Sequence, residues 1–288
     1  MARVVCVHGI GKQLLGERQL HRDWVPALRD GLTRAGHTGK LHDEDIAVAF
    51  YGDLFRPHAE VLSPGDPPLR PADLAPGLET DLLIAWWSAA ADSDPGVVPP
   101  DAMDTLARVP RSVQAGLLAL LRSRFFAGLA MRALIADLRQ TRSYLTDHDI
   151  RCAARARVEA LVDDDTEVVV AHSLGSVVAY EALAAHPGHT VRAFVTLGSP
   201  LGLPRLVFDR LDPAPVAGRG TWPGGPDLAW TNIVDRGDAV ASVKDLGPLF
   251  GPDLASMVVS NGSHAHDSTA YLSDAATGTA IARGLRGR

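Results

Sequence analysis

Lysine is nearly missing from this 288-residue chain: Lys12, Lys40 and Lys244 are the only three among 28 basic residues. The remaining basic positions are arginine, and with abundant Ala, Gly and Pro this reads as GC-rich coding with no function attached. Cysteine is equally scarce. Cys6 and Cys152 make neither a metal-ligand spacing nor a disulfide framework, so a structural zinc of the usual kind is excluded and both read as reduced thiols. There is no excess of positive charge. The net charge of −6 argues against general nucleic-acid binding. There is no long apolar run either. The longest helix-like stretch, Val113 to Leu121, is too short for a bilayer and is followed by Arg122 and Arg124. The start, Arg3-Val-Val-Cys-Val7 and then His8-Gly9, lacks the pattern of a secretory signal. Neither G-x-G-x-x-G nor G-x-x-x-x-G-K-[ST] occurs. The expectation is a soluble, cytoplasmic protein without cofactor or metal.

What is present is an ordinary globular composition, 46% hydrophobic and 22% charged, long enough to bury a sizeable core as one large domain or two small ones. Apolar runs alternate with helical patterns. Strands are expected at 3–7, 46–50, 167–171, 191–197, 229–234 and 256–260. The run Val168-Val-Val170 has no polar alternation, as suits a parallel strand buried on both faces. A helix is expected over 17–35, with Leu20, Trp24, Leu28 and Leu32 at four-residue spacing. Others are expected over 173–185 and 277–285. This alternation predicts an α/β fold with a mostly parallel central sheet flanked by helices.

The stretch from 57 to 160 breaks the alternation. It reads as a helical insertion, or cap, on a core made of 1–56 and 161–288. It opens with the Pro/Gly-rich 63–77. A helix over 78–91 carrying Trp86 and Trp87 follows, then a breaker at 94–100. One long helix is expected over 112–144, with Leu117, Leu121, Phe125 and Leu129 on a stripe, and a last one over 149–161. Insertions of this kind are tolerable in surface connections and often shape active sites.

The strongest chemical signal is Val168-Val-Val-Ala-His-Ser-Leu-Gly175, which runs into Ser176-Val-Val-Ala-Tyr-Glu-Ala-Leu183. A strand, a sharp turn with serine at its tip and then a helix lift the Ser173 hydroxyl above the sheet. The helix start aims N–H groups and a positive dipole end at charge developing there. The bland alternative is a serine capping a helix. A serine nucleophile needs a base and an orienting acid. The acids at the end of the 229–234 strand are Asp235 and Asp238; Asp238 is preferred because Gly237 allows a turn, and Asp235 is the alternative. Of the later histidines, His186 and His189 flank Pro187-Gly188 and read as turn residues. His264 and His266 lie just past the last strand, and His266 is preferred over His264. The first strand delivers His8-Gly-Ile-Gly11, a loop whose N–H groups can meet an oxyanion. Ile10 is the preferred donor there with Gly11 close behind, and the Leu174 N–H supplies the second.

Together, His8-Gly-Ile-Gly11, Ala171-His-Ser-Leu-Gly175, Thr196-Leu-Gly-Ser-Pro200, Asp238 and His266 resemble the α/β-hydrolase superfamily. The likeness is to lipase- and esterase-like serine hydrolases, including the GPI inositol-deacylase group. It covers roughly 1–56 and 161–288. The resemblance implies an α/β-hydrolase fold with Ser173 as nucleophile, His266 as general base then acid, Asp238 as its orienter, and the N–H groups of Ile10 and Leu174 as the oxyanion hole. Two features depart from it. Ala171 stands where the elbow usually has glycine, and the insertion precedes the nucleophile strand, whereas many relatives carry a lid after the next strand.

The expected activity is hydrolysis of a small-molecule or lipid-like acyl ester, with thioester hydrolysis, acyl transfer or a non-catalytic scaffold as alternatives. Between Arg122 and Arg157 stand eight arginines and three acids, net about +5. Such a face could contact a carrier protein or a membrane surface, or be a plain solvated arginine face. Trp86, Trp87, Phe125, Phe126 and Met131 are candidates for an acyl pocket, with core packing the alternative.

Overall fold

The computed structural model describes residues 2–56, 69–100, 109–123 and 130–286. Six strands form one all-parallel sheet: β1 (Val4–Val7), β2 (Ile46–Ala49), β3 (Val168–His172), β4 (Ala193–Leu197), β5 (Ala229–Asp235) and β6 (Ala255–Val259), in the order β2-β1-β3-β4-β5-β6. Val7 lies opposite Ala49 on one side and Ala171 on the other, so β1 and β3 end side by side. The helices are α1 (Glu17–Arg34), α2 (Leu78–Ser93), α3 (Val109–Arg122), α4 (Met131–Thr146), α5 (His148–Glu159), α6 (Leu174–Ala185), α7 (Gly247–Phe250), α8 (Ser268–Leu272) and α9 (Ala275–Gly284).

Successive strand residues point to opposite faces, and both faces are covered. Val5, Val7, Val169, Ala171, Phe194 and Trp230 meet α5 and α6 on one side. Val4, Cys6, Val168, Val170, Val195 and Ile233 meet α1, α8 and α9 on the other. Leu20, Trp24, Leu28 and Leu32 of α1 are all buried, as their spacing predicts. Cys6 is a buried thiol and Cys152 an exposed one. Among the described residues no helix is long and apolar enough to cross a membrane.

The chain leaves β1 through α1 to β2 on one side, then returns to β3 on the other side of β1. Strand order therefore reverses between β1 and β3. In an open parallel sheet a crevice forms at such a point, beyond the carboxyl ends of the two strands.

The long helix expected over 112–144 is two helices. Ser123 ends α3, its Oγ donating to Leu120 O at 2.6 Å. Val113, Leu117 and Leu120 of α3 pack with Leu134, Ile135 and Leu138 of α4, an apolar cluster that a single straight helix could not form. Trp86 and Trp87 of α2 are buried in the same cluster, which also covers Ala239 and Val240. Phe125, Phe126 and Leu129, and residues 57–68, lie outside the described residues. Within the segment read as an insertion, α5 packs on α6 and gives Ala154 and Val158 to the core beneath the sheet.

Helix α6 is buried along its length from Leu174 to Leu183, and that includes a carboxylate, Glu181. Tyr144 OH donates to Glu181 Oε2 at 2.6 Å, Arg151 Nε donates to it at 2.8 Å, and the Asp212 N–H donates to Oε1 at 3.1 Å. One buried charge thus ties α4, α5, α6 and the loop after β4. Glu181→Leu would leave Arg151 and Tyr144 facing an apolar group. Removing one partner of a buried pair costs about 3–5 kcal/mol. Urea unfolding checks this, and a loss no larger than that of an exposed pair, about 1 kcal/mol or less, would show that the network is not what holds these helices.

Candidate active site

The crevice between β1 and β3 is built by close backbone approach. Ser173 stands between β3 and α6 with φ 54° and ψ −132°, a region that side chains other than glycine rarely occupy. It is held there by its own N–H, which donates to Leu197 O of β4 at 2.9 Å. The neighbours leave no room. A Cβ on Gly175 would lie 2.2 Å from His8 O, and one on Gly9 would lie 2.6 Å from Ser173 Cβ. Glycine at 9 and 175 is what lets the first turn of α6 sit against the end of β1. Ala171 is buried within β3, paired with Val7 and Thr196, so a methyl is accommodated at the departure noted above.

Three of the candidate residues come together. Ser173 Oγ is 2.9 Å from His266 Nε2, and His266 Nδ1 is 2.7 Å from Asp238 Oδ2. Asp238 is almost fully buried and saturated with donors. Its Oδ1 accepts from the N–H groups of Val240 (3.0 Å) and Ala241 (3.3 Å), and its Oδ2 also accepts from Tyr271 OH at 2.8 Å. An ionised carboxylate only accepts, so the imidazole proton sits on Nδ1 and Nε2 is left to accept from the Ser173 hydroxyl. Burial and the Asp238 charge push the Tyr271 hydroxyl well above its usual range, which keeps it a donor. On the other side Gly198, at φ 54°, has no space for a side chain: a Cβ would lie 2.7 Å from Asp238 Oδ2 and 3.2 Å from His266 Nδ1.

The rival residues lie elsewhere. Asp235 Oδ1 accepts from the Gly237 N–H at 2.6 Å and its Oδ2 from the Asn261 N–H, so it shapes the turns after β5 and β6. His264 is exposed in the turn Gly262–His264. His186 is exposed, and His189 Nε2 is bonded to Pro223 O.

His8, Gly9, Ile10 and Gly11 form the loop facing Ser173. His8 Nε2 accepts from the Tyr51 N–H at 3.1 Å, so the ring proton is on Nδ1 and donates to Gly9 O at 2.7 Å. The Tyr51 ring stacks on the imidazole at 4.2 Å, and its hydroxyl donates to His8 O. The Gly11 N–H donates to Gln140 Oε1 of α4 at 3.2 Å. That N–H is committed, and among the described residues the Ile10 N–H has no such partner. Leu174 is the first residue of α6, where an N–H has no acceptor one turn earlier.

Above these groups is a narrow, nearly closed cleft with about 10 Å³ of free space. Ile10, Ser173 and Leu174 meet there with Leu82 and Trp86 of α2, Thr141 of α4, and Pro200, Leu203, Val207 and Val240. Of the aromatic candidates Trp86 reaches this wall, while Trp87 donates to Val98 O away from it. Five of the six arginines of α4 and α5 are engaged within the chain, Arg139 with Asp73 O among them, and Arg132 is exposed. Arg142 pairs with Glu79, Arg151 with Glu181, Arg155 with Asp212 and Arg157 with Asp53. Among the described residues no group of three or more His, Cys, Asp or Glu is placed to hold a metal ion.

His8, Tyr271, Gly198 and His172 were not given roles by the motif reading. His172 donates from Nε2 to His266 O at 3.1 Å, and its ring lies 4.7 Å from that of His266. Their roles depend on partners 33 to 94 positions away, which spacing along the chain does not display. The exception is His8, whose place beside Gly9 at a strand end was visible.

Compared with protein-family models, with curated proteins and with solved structures, the chain matches none.

His8 and His172 give the fold a pH dependence. Burial pushes His8 down from 6.5 to about 4, and burial also lowers His172 well below its usual range. The unfolded chain therefore binds protons that the folded chain refuses as pH falls through the window from 6.5 toward 4. Stability is expected to be full above that window and to be lost progressively on acidification within it. Asp137, whose carboxyl burial pushes up to about 7, acts in the opposite sense over the same range, so the readout is the difference between two proteins: from pH 8 to pH 4 the melting temperature of the wild type should fall relative to that of His8→Gln. Parallel profiles would contradict the burial of a neutral His8 imidazole.

Proposed function

We propose that the chain is a serine hydrolase of the α/β-hydrolase type that cleaves carboxylic esters. The observation that carries this reading is the continuous relay from Ser173 Oγ through His266 to Asp238, at 2.9 and 2.7 Å. His266 takes the hydroxyl proton on Nε2 as Ser173 Oγ attacks the ester carbonyl. The proton on Nδ1 stays with the ring, and Asp238 stabilises the imidazolium that forms.

The tetrahedral oxyanion is placed between the N–H groups of Ile10 and Leu174. Fixed donors in a site walled from water stabilise that charge without reorganisation. Gly11 is the weaker candidate because its N–H already serves Gln140. His266 then protonates the leaving alkoxide. Water, deprotonated by the same imidazole, attacks the acyl-enzyme and releases the acid. Leu82, Trp86, Leu203, Val207 and Val240 make an apolar wall, which suits an acyl group. A thioester would use the same groups.

Intact-protein mass after treatment with a fluorophosphonate should show one adduct on the wild type and none on Ser173→Ala. Asp238→Asn should lower ester turnover roughly 10⁴-fold, because the imidazole loses its enforced tautomer. His264→Ala, at an exposed position, should leave the rate within about twofold. An unlabelled but folded wild type, or an Asp238→Asn variant of undiminished rate, would sink this assignment. Matched ester and thioester panels separate the two substrate classes.

A further inference from the structure

Buried carboxylates in this fold have donors. Glu79 pairs with Arg142 and accepts from the Ala75 N–H, and Glu181 is bonded by Tyr144, Arg151 and the Asp212 N–H. Asp137 is different. It lies on α4, one turn before Thr141 of the cleft wall, and is half-buried. Its carboxylate is aimed at the loop that faces Ser173: a Cβ built on Gly11 would lie 3.2 Å from Oδ1 and 3.8 Å from Oδ2. Among the described residues no group donates a hydrogen bond to that carboxylate and none forms an ion pair with it. Burial pushes its carboxyl up to about 7, while the nearby charges of His266 and Lys12 pull the other way.

A half-buried carboxylate that no protein group bonds is left free to accept from a ligand, and carboxyls with raised affinity for a proton concentrate at functional sites. The apolar side of the cleft is occupied by Leu82, Trp86, Leu203 and Val207. An acyl group lying there would leave the polar half of the ester toward Gly11 and Asp137. Resting on the hydrolase reading above, we propose that Asp137 is a specificity-determining residue that accepts hydrogen bonds from a donor-bearing leaving group, an ammonium or a polyol. A substrate without donors would leave the carboxylate unpaired, and an anionic one would be repelled.

The test compares three butyrate esters by release of butyrate: propyl, 2,3-dihydroxypropyl and 2-(dimethylamino)ethyl. Fluorophosphonate labelling of Ser173 is followed in parallel, for the wild type, Asp137→Leu and Asp137→Asn. The wild type should favour at least one donor-bearing ester over the propyl ester by about tenfold or more in kcat/KM. Asp137→Leu should remove that preference, chiefly through KM, with labelling within about twofold of wild type. Asp137→Asn keeps an acceptor and loses the charge, so a polyol preference should survive in part and an ammonium preference should not. A wild type that does not discriminate, or an Asp137→Leu variant that keeps the preference, overturns the inference while labelled Ser173 leaves the hydrolase reading standing. Loss of labelling in both variants also overturns it, because Asp137 would then act on the relay and not on the leaving group. A folded wild type that is never labelled overturns both.

Discussion

Everything at the crevice depends on how closely the backbone at the end of β1 approaches the start of α6. The Cα of Gly175 sits against His8 O and the Cα of Gly9 against Ser173 Cβ, at separations that no side chain could share. This contact forces Ser173 into its left-handed conformation, with the Leu197 carbonyl holding the peptide in place. It also brings the Ile10 loop and the start of α6 to the same cleft as Ser173. The parallel pairing of β1 and β3 makes the approach possible, and the reversal of strand order between them keeps the space above it open.

Two aspartates three residues apart divide the remaining work. Asp235 spends both oxygens on backbone N–H groups, of Gly237 and Asn261, and so ties the end of β5 to the turn after β6. Asp238 accepts from Val240 and Ala241 on Oδ1 and from Tyr271 on Oδ2, and presents Oδ2 to His266 as well. Tyr271 joins them, since its hydroxyl accepts from the Asp235 N–H and donates to Asp238. The imidazole orientation is therefore set by three segments of chain that meet only in the folded state.

Much of this was legible in one dimension because it rests on local rules. β-branched runs, the four-residue spacing of α1 and the strand–serine–helix passage are local, and all six expected strands are present within two residues of their expected ends. The preference for Asp238 over Asp235 rested on the turn that Gly237 permits, and the geometry brings Asp238 to His266. What was not legible depends on packing between distant segments. The apolar stripe after 112 continues without a visible break, so the fold-back between α3 and α4 is a matter of which surfaces cover each other. The arginine-rich stretch reads as a basic face until its partners Glu79, Asp53, Glu181 and Asp212 are seen beside it. Gln140 and Asp137 carry no signal at all until α4 is laid over the β1 loop.

The bond from Gly11 to Gln140 makes α4 both a wall of the cleft and a support of its floor. The two walls are therefore unequal as places for change. Recontouring α2 at Leu82 or Trp86 alters the volume beside Ser173 and the packing on Ile10, and leaves the Gly11–Gln140 bond in place. Recontouring α4 alters shape and loop together. Change in the shape of the cleft has an open route through one helix and a coupled one through the other, and a designer widening this cleft would begin with α2.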